Sequence, residues 1–272
     1  WRALFWHPRE SFDLVTSQDP FETGFIAWRL ARRLGAKLEL QIHTDLGSPY
    51  FWRESIKNKI RYLLAKFLLP RADQIRVVSQ RIADFLNSQF QIANSQITVR
   101  PVAIDIEKIK NAPIQTDLHK KYPQFEKIIL MASRLTKEKN IGLAIKALSS
   151  LIRANRRIGL VIVGSGAEEK SLKLKAKSYK LEANIVFEPW TDDLPSYYKT
   201  ADLFLNTSLY EGYGRTIVEA LAGGCPVIST DVGIAREILP AANILAVDDK
   251  EALVEKIIKN PRPQGSGIKT VK

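Results

Sequence analysis

The sequence predicts an α/β protein built from two doubly wound, parallel-sheet domains in tandem. Short runs of apolar, β-favouring residues alternate with longer stretches of helical period, which is the pattern of repeated βα units. Around residues 111–126 this pattern gives way to polar, proline-containing sequence, which predicts an interdomain linker. We therefore expect domains at residues 1–110 and 127–260 facing a central cleft, and a tail at 261–272 that is low in apolar residues.

The first half contains predicted strands and helices in alternation. The strands are expected at FDLVTS (12–17), KLELQIH (37–43), QIRVV (74–78) and ITVRPV (97–102). The helices are expected at 22–34, at 52–69 ending before Pro70, and at 81–90 with Ser79 as its N-cap.

The second half repeats this alternation after the linker. Its strands are expected at IILMAS (128–133), LVIV (160–163), NIVF (184–187), LFLN (203–206), PVIST (226–230) and NILAV (243–247). Its helices are expected at 141–154, 168–181, 215–222 and 250–258, with a short one beginning near Leu194 and capped by Asp192 or Asp193.

The composition favours anionic partners. The 272 residues carry a formal net charge of +12, which suits nucleotides or phospholipid headgroups. Basic residues occur in both halves without a recognisable nucleic-acid module, so nucleic acid is not an expected partner. The single cysteine, Cys225, excludes an internal disulfide and is expected to be a small buried residue. No apolar run has membrane-spanning length.

Two turns after strands in the second half suit a phosphate-bearing ligand. The turn MASRLTKEKN carries Arg134 and Lys139, and two cations beyond a strand's carboxyl end can bind a diphosphate. The turn VIVGSG places Gly164 and Gly166 where the backbone can approach a ligand. A solvated helix start and a purely geometric need for glycine are the alternative interpretations.

The stretch LYEGYGRTIVE places one acid in a loop and another two turns into the following helix. Gly212 and Gly214 turn the chain from a strand into that helix, whose free N–H groups can bind phosphate. Glu211 can accept hydrogen bonds from sugar hydroxyls, whereas Glu219 lies inside the helix, where burial requires a polar partner such as ribose hydroxyls. Surface charge is the alternative for both acids.

These motifs resemble the retaining glycosyltransferases of family 4, the group 1 type, which have the GT-B fold. Glu211 and Glu219 match the family's two glutamates spaced eight positions apart, and Arg134 and Lys139 match its diphosphate-binding pair. The resemblance implies that Glu211 contacts the donor sugar and Glu219 holds the ribose. The donor site is expected to include these residues: Arg134, Lys139, Gly164, Gly166, Gly212, Tyr213, Gly214, Arg215 and Glu219.

The first half matches the family's acceptor-side domain. The resemblance implies that His43 contacts the transferred sugar and that Asp45 lies near the acceptor hydroxyl, so both join Glu211 as expected catalytic residues. The family has a strand and a glycine-rich loop ahead of FDLVTS, and it ends in a closing helix; neither is evident here. We therefore expect the first domain to be incomplete because the chain is truncated at the N-terminus. The sequence leaves open whether the C-terminus is truncated as well.

The resemblance implies a metal-independent hexosyl transfer from a nucleotide-diphosphate sugar to an acceptor hydroxyl on a glycan or lipid-linked carrier. It implies no cofactor, no obligatory metal and a cytoplasmic role in cell-envelope polysaccharide synthesis. The alternative is a catalytically inactive fragment that binds the nucleotide sugar. The sequence does not indicate which base the donor carries. Trp190 is expected either to lie near the base or to be a packing residue.

The helix predicted at 52–69 is strongly basic. Between residues 52 and 81 the chain has eight Lys or Arg against Glu54 and Asp73. Lys57, Arg61 and Lys66 beside an apolar stripe favour peripheral binding to an anionic membrane, on the inner face. The alternative is a helix packed on the core with a solvated basic face.

Overall fold

The computed structural model describes residues 11–154 and 157–259, apart from the side chain of Ala154. The predicted tail at 261–272 and the first ten residues of the predicted first domain lie outside the described residues. The chain packs as two units. Of the described residues, unit 1 contains those up to Val102 together with Tyr210–Tyr213, and unit 2 contains the others, within Ala103–Leu209 and after Tyr213.

Unit 1 is a four-stranded parallel sheet in the order β1-β2-β3-β4. Its elements in chain order are β1 (Leu14–Ser17), α1 (Glu22–Leu34), β2 (Lys37–Ile42), α2 (Pro49–Arg53), α3 (Ile56–Leu68), β3 (Gln74–Val77), α4 (Gln80–Phe90) and β4 (Ile97–Val99).

The described strands of unit 1 bury one face of the sheet. Leu38, Leu40 and Ile42 of β2 lie in a single core with residues of α1, α3 and α4, whereas Glu39 and Gln41 on the opposite face are half-buried. This alternation is expected of a sheet covered by helices on one side. The four described strands of unit 1 lie side by side in chain order.

The prediction of a single helix at 52–69 is wrong, because the chain forms two helices there. Ser55 is extended, with φ −157° and ψ 159°, and its hydroxyl accepts a hydrogen bond from the Asn58 amide at 3.1 Å. Ser55 therefore caps a new helix, α3, and Trp52 lies on the separate helix α2. The apolar stripe of α3 points outward, and Ile56 is 76% exposed.

Unit 2 is a six-stranded parallel sheet in the order β10-β9-β8-β5-β6-β7. Its elements in chain order are α5 (Ile106–Asn111), α6 (Leu118–Lys121), β5 (Lys127–Ala132), α7 (Ile141–Ala154), β6 (Ile158–Val163), α8 (Glu169–Ser178), β7 (Ile185–Glu188), α9 (Leu194–Thr200), β8 (Leu203–Asn206), α10 (Arg215–Ala222), β9 (Val227–Thr230), α11 (Ala235–Ile238), β10 (Ile244–Leu245) and α12 (Lys250–Lys259).

Both faces of the unit 2 sheet are buried. Ile129 and Met131 of β5 pack with α7, α8 and α12, whereas Ile128 and Leu130 pack with α9, α10 and α11. This burial explains why these strands are continuous apolar runs rather than alternating ones. The order runs outward from β5 through β6 to β7 and then returns through β8, so the reversal lies between β5 and β8.

The boundary between the units differs from the predicted linker at 111–126, because this segment packs on unit 2. Leu118 of α6 and Phe125 are buried in its core, and the Leu118 amide donates to Thr200 Oγ1 at 3.2 Å. The sequence suggested a linker because the segment is polar and its helices are short. Each short helix nevertheless begins at an aspartate, Asp105 or Asp117, whose carboxylate accepts a backbone amide.

Two predicted helix caps make no capping hydrogen bond. Ser79 stands at the N-cap of α4, but its buried hydroxyl has no hydrogen-bond partner within the described part of the chain. Asp193 precedes α9, and its carboxylate instead accepts from the Ser196 hydroxyl. The residue type and position were therefore correct in both cases, whereas the predicted contact was wrong.

Candidate functional site

The loops after β5 and β8 meet at the reversal of strand order in unit 2. The Leu209 amide donates to the Glu138 carbonyl at 2.7 Å, and Thr207 Oγ1 lies 3.0 Å from the carbonyls of both Lys139 and Asn140. Ligands of open α/β sheets bind beyond the carboxyl ends of the strands at such a reversal. The loop that carries the predicted cations is therefore joined to the loop that leads into α10, at the sheet position where a ligand is expected.

Arg134 and Lys139 lie in the loop between β5 and α7. The Arg134 side chain is 77% exposed, and its Nη2 lies 3.2 Å from Glu138 Oε1. Glu138, 13% exposed, also accepts from Thr136 Oγ1 at 2.7 Å. Lys139 is partly exposed in a 3-10 turn that ends in left-handed Asn140, φ 46°. The guanidinium is thus held on the loop by an exposed ion pair, which an incoming anion can displace at little cost.

Gly164 and Gly166 have a clear packing role. A Cβ on Gly164 would lie 1.9 Å from the Ser133 carbonyl oxygen, and φ is +140°, a region that only glycine adopts readily. A Cβ on Gly166 would lie 2.3 Å from the Leu135 carbonyl oxygen. The two glycines let the loop after β6 pack directly against the loop that carries Arg134. This packing supports the interpretation that the turn needs glycine for its backbone geometry. Contact of Gly164 and Gly166 with a ligand stays a prediction.

Glu219 is buried on α10, so the surface-charge alternative does not hold for this residue. Its exposed fraction is 8%, and each carboxylate oxygen has a protein partner. Arg215 Nε donates to Oε1 at 2.6 Å, and the Tyr198 hydroxyl donates to Oε2 at 3.2 Å. Burial and the neighbouring Glu219 carboxylate raise the pKa of Tyr198 well above its ordinary value, so the phenol remains a donor. A carboxylate offers about four acceptor positions, so both oxygens retain room for a ligand hydroxyl.

α10 begins directly after Gly214, which is left-handed with φ 92°. Arg215, the first residue of the helix, is 66% exposed although it is bound to Glu219. The start of α10 therefore combines an exposed guanidinium with backbone amides at a helix N-terminus, which together favour an anion.

A buried polar ladder at the ends of β8 and β9 was not anticipated from the sequence. Asn206 Nδ2 donates to Ser229 Oγ at 3.0 Å, the Ser208 hydroxyl donates to Asn206 Oδ1 at 2.7 Å, and Thr230 Oγ1 donates to the Ser208 carbonyl at 2.7 Å. These side chains are at most 8% exposed. The ladder fixes the chain just before Tyr210–Tyr213. The signal was available, because LFLNTS and VISTD both end buried strands in polar residues.

The residues Tyr210–Tyr213 pack within unit 1. A Cβ on Gly212 would lie 1.9 Å from the His43 carbonyl oxygen, so the two backbones touch and only glycine fits. The Tyr210 hydroxyl donates to Glu54 Oε2, and its ring meets Phe51 edge-on at 5.7 Å. Tyr213 packs on the same core as a partly buried residue. Glu211 is partly exposed between these anchors.

His43 and Asp45 follow β2 in unit 1. His43 is exposed, and its Nε2 lies 3.3 Å from Gln41 Oε1. Partial burial and then the Arg76 charge lower the pKa of His43, so the imidazole is neutral near pH 7. Asp45 is 7% exposed, and its Oδ1 accepts from the Gly47 amide at 2.9 Å. Asp45 therefore shapes its own loop, whereas His43 can meet a ligand from its exposed side.

At the end of β7, the carboxylate of Glu188 forms a second polar cluster. Glu188 accepts from Lys121 Nζ at 2.8 Å, from the Tyr197 hydroxyl at 2.6 Å and from the Tyr122 hydroxyl. Burial opposes ionisation of Glu188, but these hydrogen bonds outweigh it and lower the pKa of its carboxyl. Burial and the Glu188 contact raise the pKa of Tyr122 to about 12. Trp190, two residues after Glu188, is 53% exposed, so it is not a core packing residue.

The described residues contain no group of three or more His, Cys, Asp or Glu arranged to hold a metal ion. In the same part of the chain, no helix combines the length and the apolar character needed to cross a bilayer. Cys225 is buried, as expected.

The chain belongs to the family of group 1 glycosyl transferases, whose pattern matches residues 115–260. Residues 1–108 match glycosyltransferase family 4. Among curated relatives, the chain is 26% identical over 84% of its length to an α-monoglucosyldiacylglycerol synthase of Streptococcus pneumoniae. It is 28% identical over 89% of its length to N-acetylgalactosamine-N,N'-diacetylbacillosaminyl-diphospho-undecaprenol 4-α-N-acetylgalactosaminyltransferase of Campylobacter jejuni. The chain spans 54% of the first relative and 62% of the second.

Solved structures of similar proteins confirm the expected fold class. Anabaena HepE in complex with UDP and glucose is 22% identical, with a TM-score of 0.76 over 91% of this chain and 68% of HepE. Sucrose-phosphate synthase from Thermosynechococcus elongatus is also 22% identical, with a TM-score of 0.79 over 92% of this chain and 65% of the synthase. The chain therefore has the GT-B type of α/β fold, with parallel sheets in both units.

Proposed function

We propose that this chain is part of a retaining glycosyltransferase that moves a hexose from a nucleotide-diphosphate sugar to an acceptor hydroxyl. One observation carries the proposal: the loops after β5 and β8 are hydrogen-bonded together at the reversal of strand order in unit 2. This junction brings the loop of Arg134 and Lys139 to the chain that leads into the helix of Glu219. Cations and a buried carboxylate at one sheet edge suit the diphosphate and ribose of a nucleotide sugar.

In this proposal, unit 2 binds the donor. Arg134, Lys139 and the amides at the start of α10 hold the diphosphate, and Glu219 accepts from the ribose hydroxyls. Arg215 and Tyr198 keep the Glu219 carboxylate in one orientation through their hydrogen bonds to it. The glycines at 164 and 166 let the loop after β6 come close enough to line the same site.

The chemistry assigned to these groups is stabilisation of the leaving group. The bond between the anomeric carbon and the diphosphate breaks, and the acceptor oxygen bonds to that carbon from the same face, so the configuration is retained. The acceptor proton passes to a diphosphate oxygen. Negative charge grows on the diphosphate as the bond breaks, and fixed cations and amide dipoles aimed there lower the barrier. This arrangement replaces a divalent cation, so we propose that no metal or cofactor is required.

Unit 1 and its Tyr210–Tyr213 segment are assigned to the transferred sugar and the acceptor. Neutral His43 can donate or accept a hydrogen bond at a sugar hydroxyl. Glu211 contacts the sugar, and Gly212 and Tyr213 position it by packing on unit 1. Asp45 orders the loop that follows His43 and lies near the acceptor hydroxyl.

The acceptor is proposed to be a glycan or a lipid-linked carrier. The relatives include a synthase named for a glucosyldiacylglycerol and a transferase named for a diphospho-undecaprenol carrier. By this analogy, the protein acts in cell-envelope polysaccharide synthesis, in the cytoplasm at the inner face of the membrane.

The test is a transfer assay on the longer natural protein that contains this chain. Glu211→Ala and Lys139→Ala are expected to abolish sugar transfer, whereas Glu182→Ala, an exposed acid after α8, is expected to retain it. Near-normal turnover of either site variant would contradict the assignment. The product's anomeric configuration tests retention, and transfer in the presence of EDTA tests the absence of a metal requirement.

A second candidate is a catalytically inactive fragment that binds a nucleotide sugar. The observation in its favour is that the chain spans only 54% of the streptococcal synthase and 62% of the Campylobacter transferase. The two candidates are separated by assaying the 272-residue chain itself for donor binding and for transfer or donor hydrolysis. Binding without turnover would favour the second candidate.

A further inference from the structure

Helix α3 exposes an apolar ridge that its own unit does not cover. Ile56, Ile60, Leu63 and Phe67 are 76%, 60%, 64% and 39% exposed. Their spacing of three or four residues places them in one line along the helix. The opposite face of the helix is buried, as the Ala65 side chain shows. Contiguous exposed apolar residues of this kind mark an interaction surface.

The end of the ridge is rigidly held. The Phe67 ring meets Trp28 edge-on at 5.3 Å, and the Arg71 guanidinium lies 3.8 Å from its centroid. Arg71 Nη1 also donates to the Phe67 carbonyl oxygen. The aromatic ring is therefore fixed at the surface, so the ridge is a preformed feature.

Lysines flank the ridge on both sides. At about 100° per residue, Lys59 and Lys66 project on one flank and Lys57 on the other. Glu22 pairs with Arg61 at 3.0 Å and with Lys57 at 3.7 Å. Within the described residues, Lys59 and Lys66 are exposed and form no ion pair. The border of the ridge thus keeps an excess of positive charge.

A basic pocket adjoins the same end of the ridge. Its volume is about 480 Å³, and its lining includes Trp28, Arg32, Arg71 and Asp73. Trp28 and Arg71 are the residues that hold Phe67. Asp73 Oδ2 accepts from the Leu38 amide at 2.8 Å, so one oxygen of this carboxylate is bound to the backbone. Two guanidinium groups at one pocket suit a phosphate group.

We propose that this face of unit 1 docks on an anionic lipid bilayer. The ridge enters the boundary between headgroups and acyl chains, Lys57, Lys59 and Lys66 lie over lipid phosphates, and the pocket of Arg32 and Arg71 takes one headgroup phosphate. The charge pattern favours lipid over a second copy of the chain. A twofold contact through this face would bring the same lysines of both copies together, which is repulsive.

Vesicle co-sedimentation tests the docking surface without any donor or transfer reaction, so its failure would leave the proposed chemistry untouched. The 272-residue chain is mixed with phosphatidylcholine vesicles that either contain or lack phosphatidylglycerol. We expect binding to the anionic vesicles only. Ile60→Ser/Leu63→Ser and Lys59→Glu/Lys66→Glu should each weaken it roughly tenfold or more. Arg32→Gln/Arg71→Gln, which removes both guanidinium groups of the pocket, should also weaken vesicle binding.

Matched controls come from other exposed helices. Leu174→Ser/Ile258→Ser, on α8 and α12, removes two apolar side chains that are 61% and 64% exposed, close to the values of Ile60 and Leu63, and this variant should bind normally. Lys170→Glu/Lys177→Glu on α8 makes the same charge change as the α3 lysine variant and should weaken binding much less. Circular dichroism checks that each variant is folded.

Three outcomes would overturn the proposal. These are equal binding to neutral and anionic vesicles, equal losses in the α3 variants and their matched controls, and a dimer in size-exclusion chromatography that Ile60→Ser/Leu63→Ser dissociates. The last result would assign the ridge to a second copy of the chain.

Discussion

Tyr198→Phe removes one hydroxyl from the interior of unit 2 and leaves the ring in place. Tyr198 is 1% exposed, and its ring meets Phe204 edge-on at 5.5 Å, a contact that phenylalanine preserves. What is lost is the hydrogen bond from the hydroxyl to Glu219 Oε2. The carboxylate keeps its hydrogen bond from Arg215, which reaches the other oxygen.

The cost follows from the charge and burial of the acceptor. A hydrogen bond to a charged group contributes about 1.5–3 kcal/mol, and Glu219 is 8% exposed, so water does not readily replace the lost donor. A domain of this size loses roughly 2–4 °C in Tm per kcal/mol. We therefore expect Tyr198→Phe to lower Tm by roughly 3–12 °C. We also expect weaker donor binding, because the Glu219 carboxylate is less firmly oriented.

Denaturant unfolding and donor titration measure the two effects. Tyr179→Phe is the matched control, because Tyr179 is 41% exposed and its loss of a hydroxyl should change stability by less than about 0.5 kcal/mol. If Tyr198→Phe is as stable as this control, the hydroxyl does not hold Glu219. If it is destabilised but binds the donor normally, the carboxylate is structural and the ribose assignment is wrong.

Three further predictions concern other parts of the molecule. Gly164→Ala should destabilise unit 2 by more than about 3 kcal/mol in urea unfolding, whereas Gly35→Ala, where no atom lies within 4 Å of the added Cβ, should cost only about 1–2 kcal/mol. The pKa of Glu188 is lowered on folding, so its contribution to stability is present above pH 4.5 and lost as the pH falls below that; Glu188→Gln should flatten the acid side of a stability–pH profile. NMR titration should give His43 a pKa below 6.5, and Arg76→Gln should raise it; an unchanged pKa would show that Arg76 does not act on His43.

The order of strands and helices could be predicted because it is encoded locally. The apolar run before Ser133 and the helical period after Asn140 are readable from neighbours in the chain, and β5 and α7 lie where these patterns placed them. The break at Ser55 was missed because the apolar period continues across it. Periodicity alone does not show whether an apolar stripe faces the core, so the exposure of Ile56 and Ile60 was not predictable.

The sequence indicated candidate residues for the site but not the contacts that they make. The sequence left Glu219 either buried with a polar partner or on the surface. Its partner Tyr198 lies 21 residues earlier in the chain, and no spacing rule links them. The sequence indicated that the turn at Gly164 needs a glycine. The Ser133 carbonyl, which leaves no room for a Cβ there, is brought near by the pairing of β5 with β6. Contacts across the sheet depend on the assembled fold, so local sequence patterns do not reveal them.

Whether these side chains form a nucleotide-sugar site can be decided by calorimetric titration of the 272-residue chain with UDP-, GDP- and ADP-sugars. The titration is repeated with Arg134→Ala/Lys139→Ala and with Glu219→Gln. We expect saturable binding of one donor, loss of affinity in both variants, and normal affinity for Lys173→Ala on the exposed side of α8. Absence of binding for every donor, or equal affinity in all variants, would show that the cations and the buried carboxylate do not act together on a nucleotide sugar.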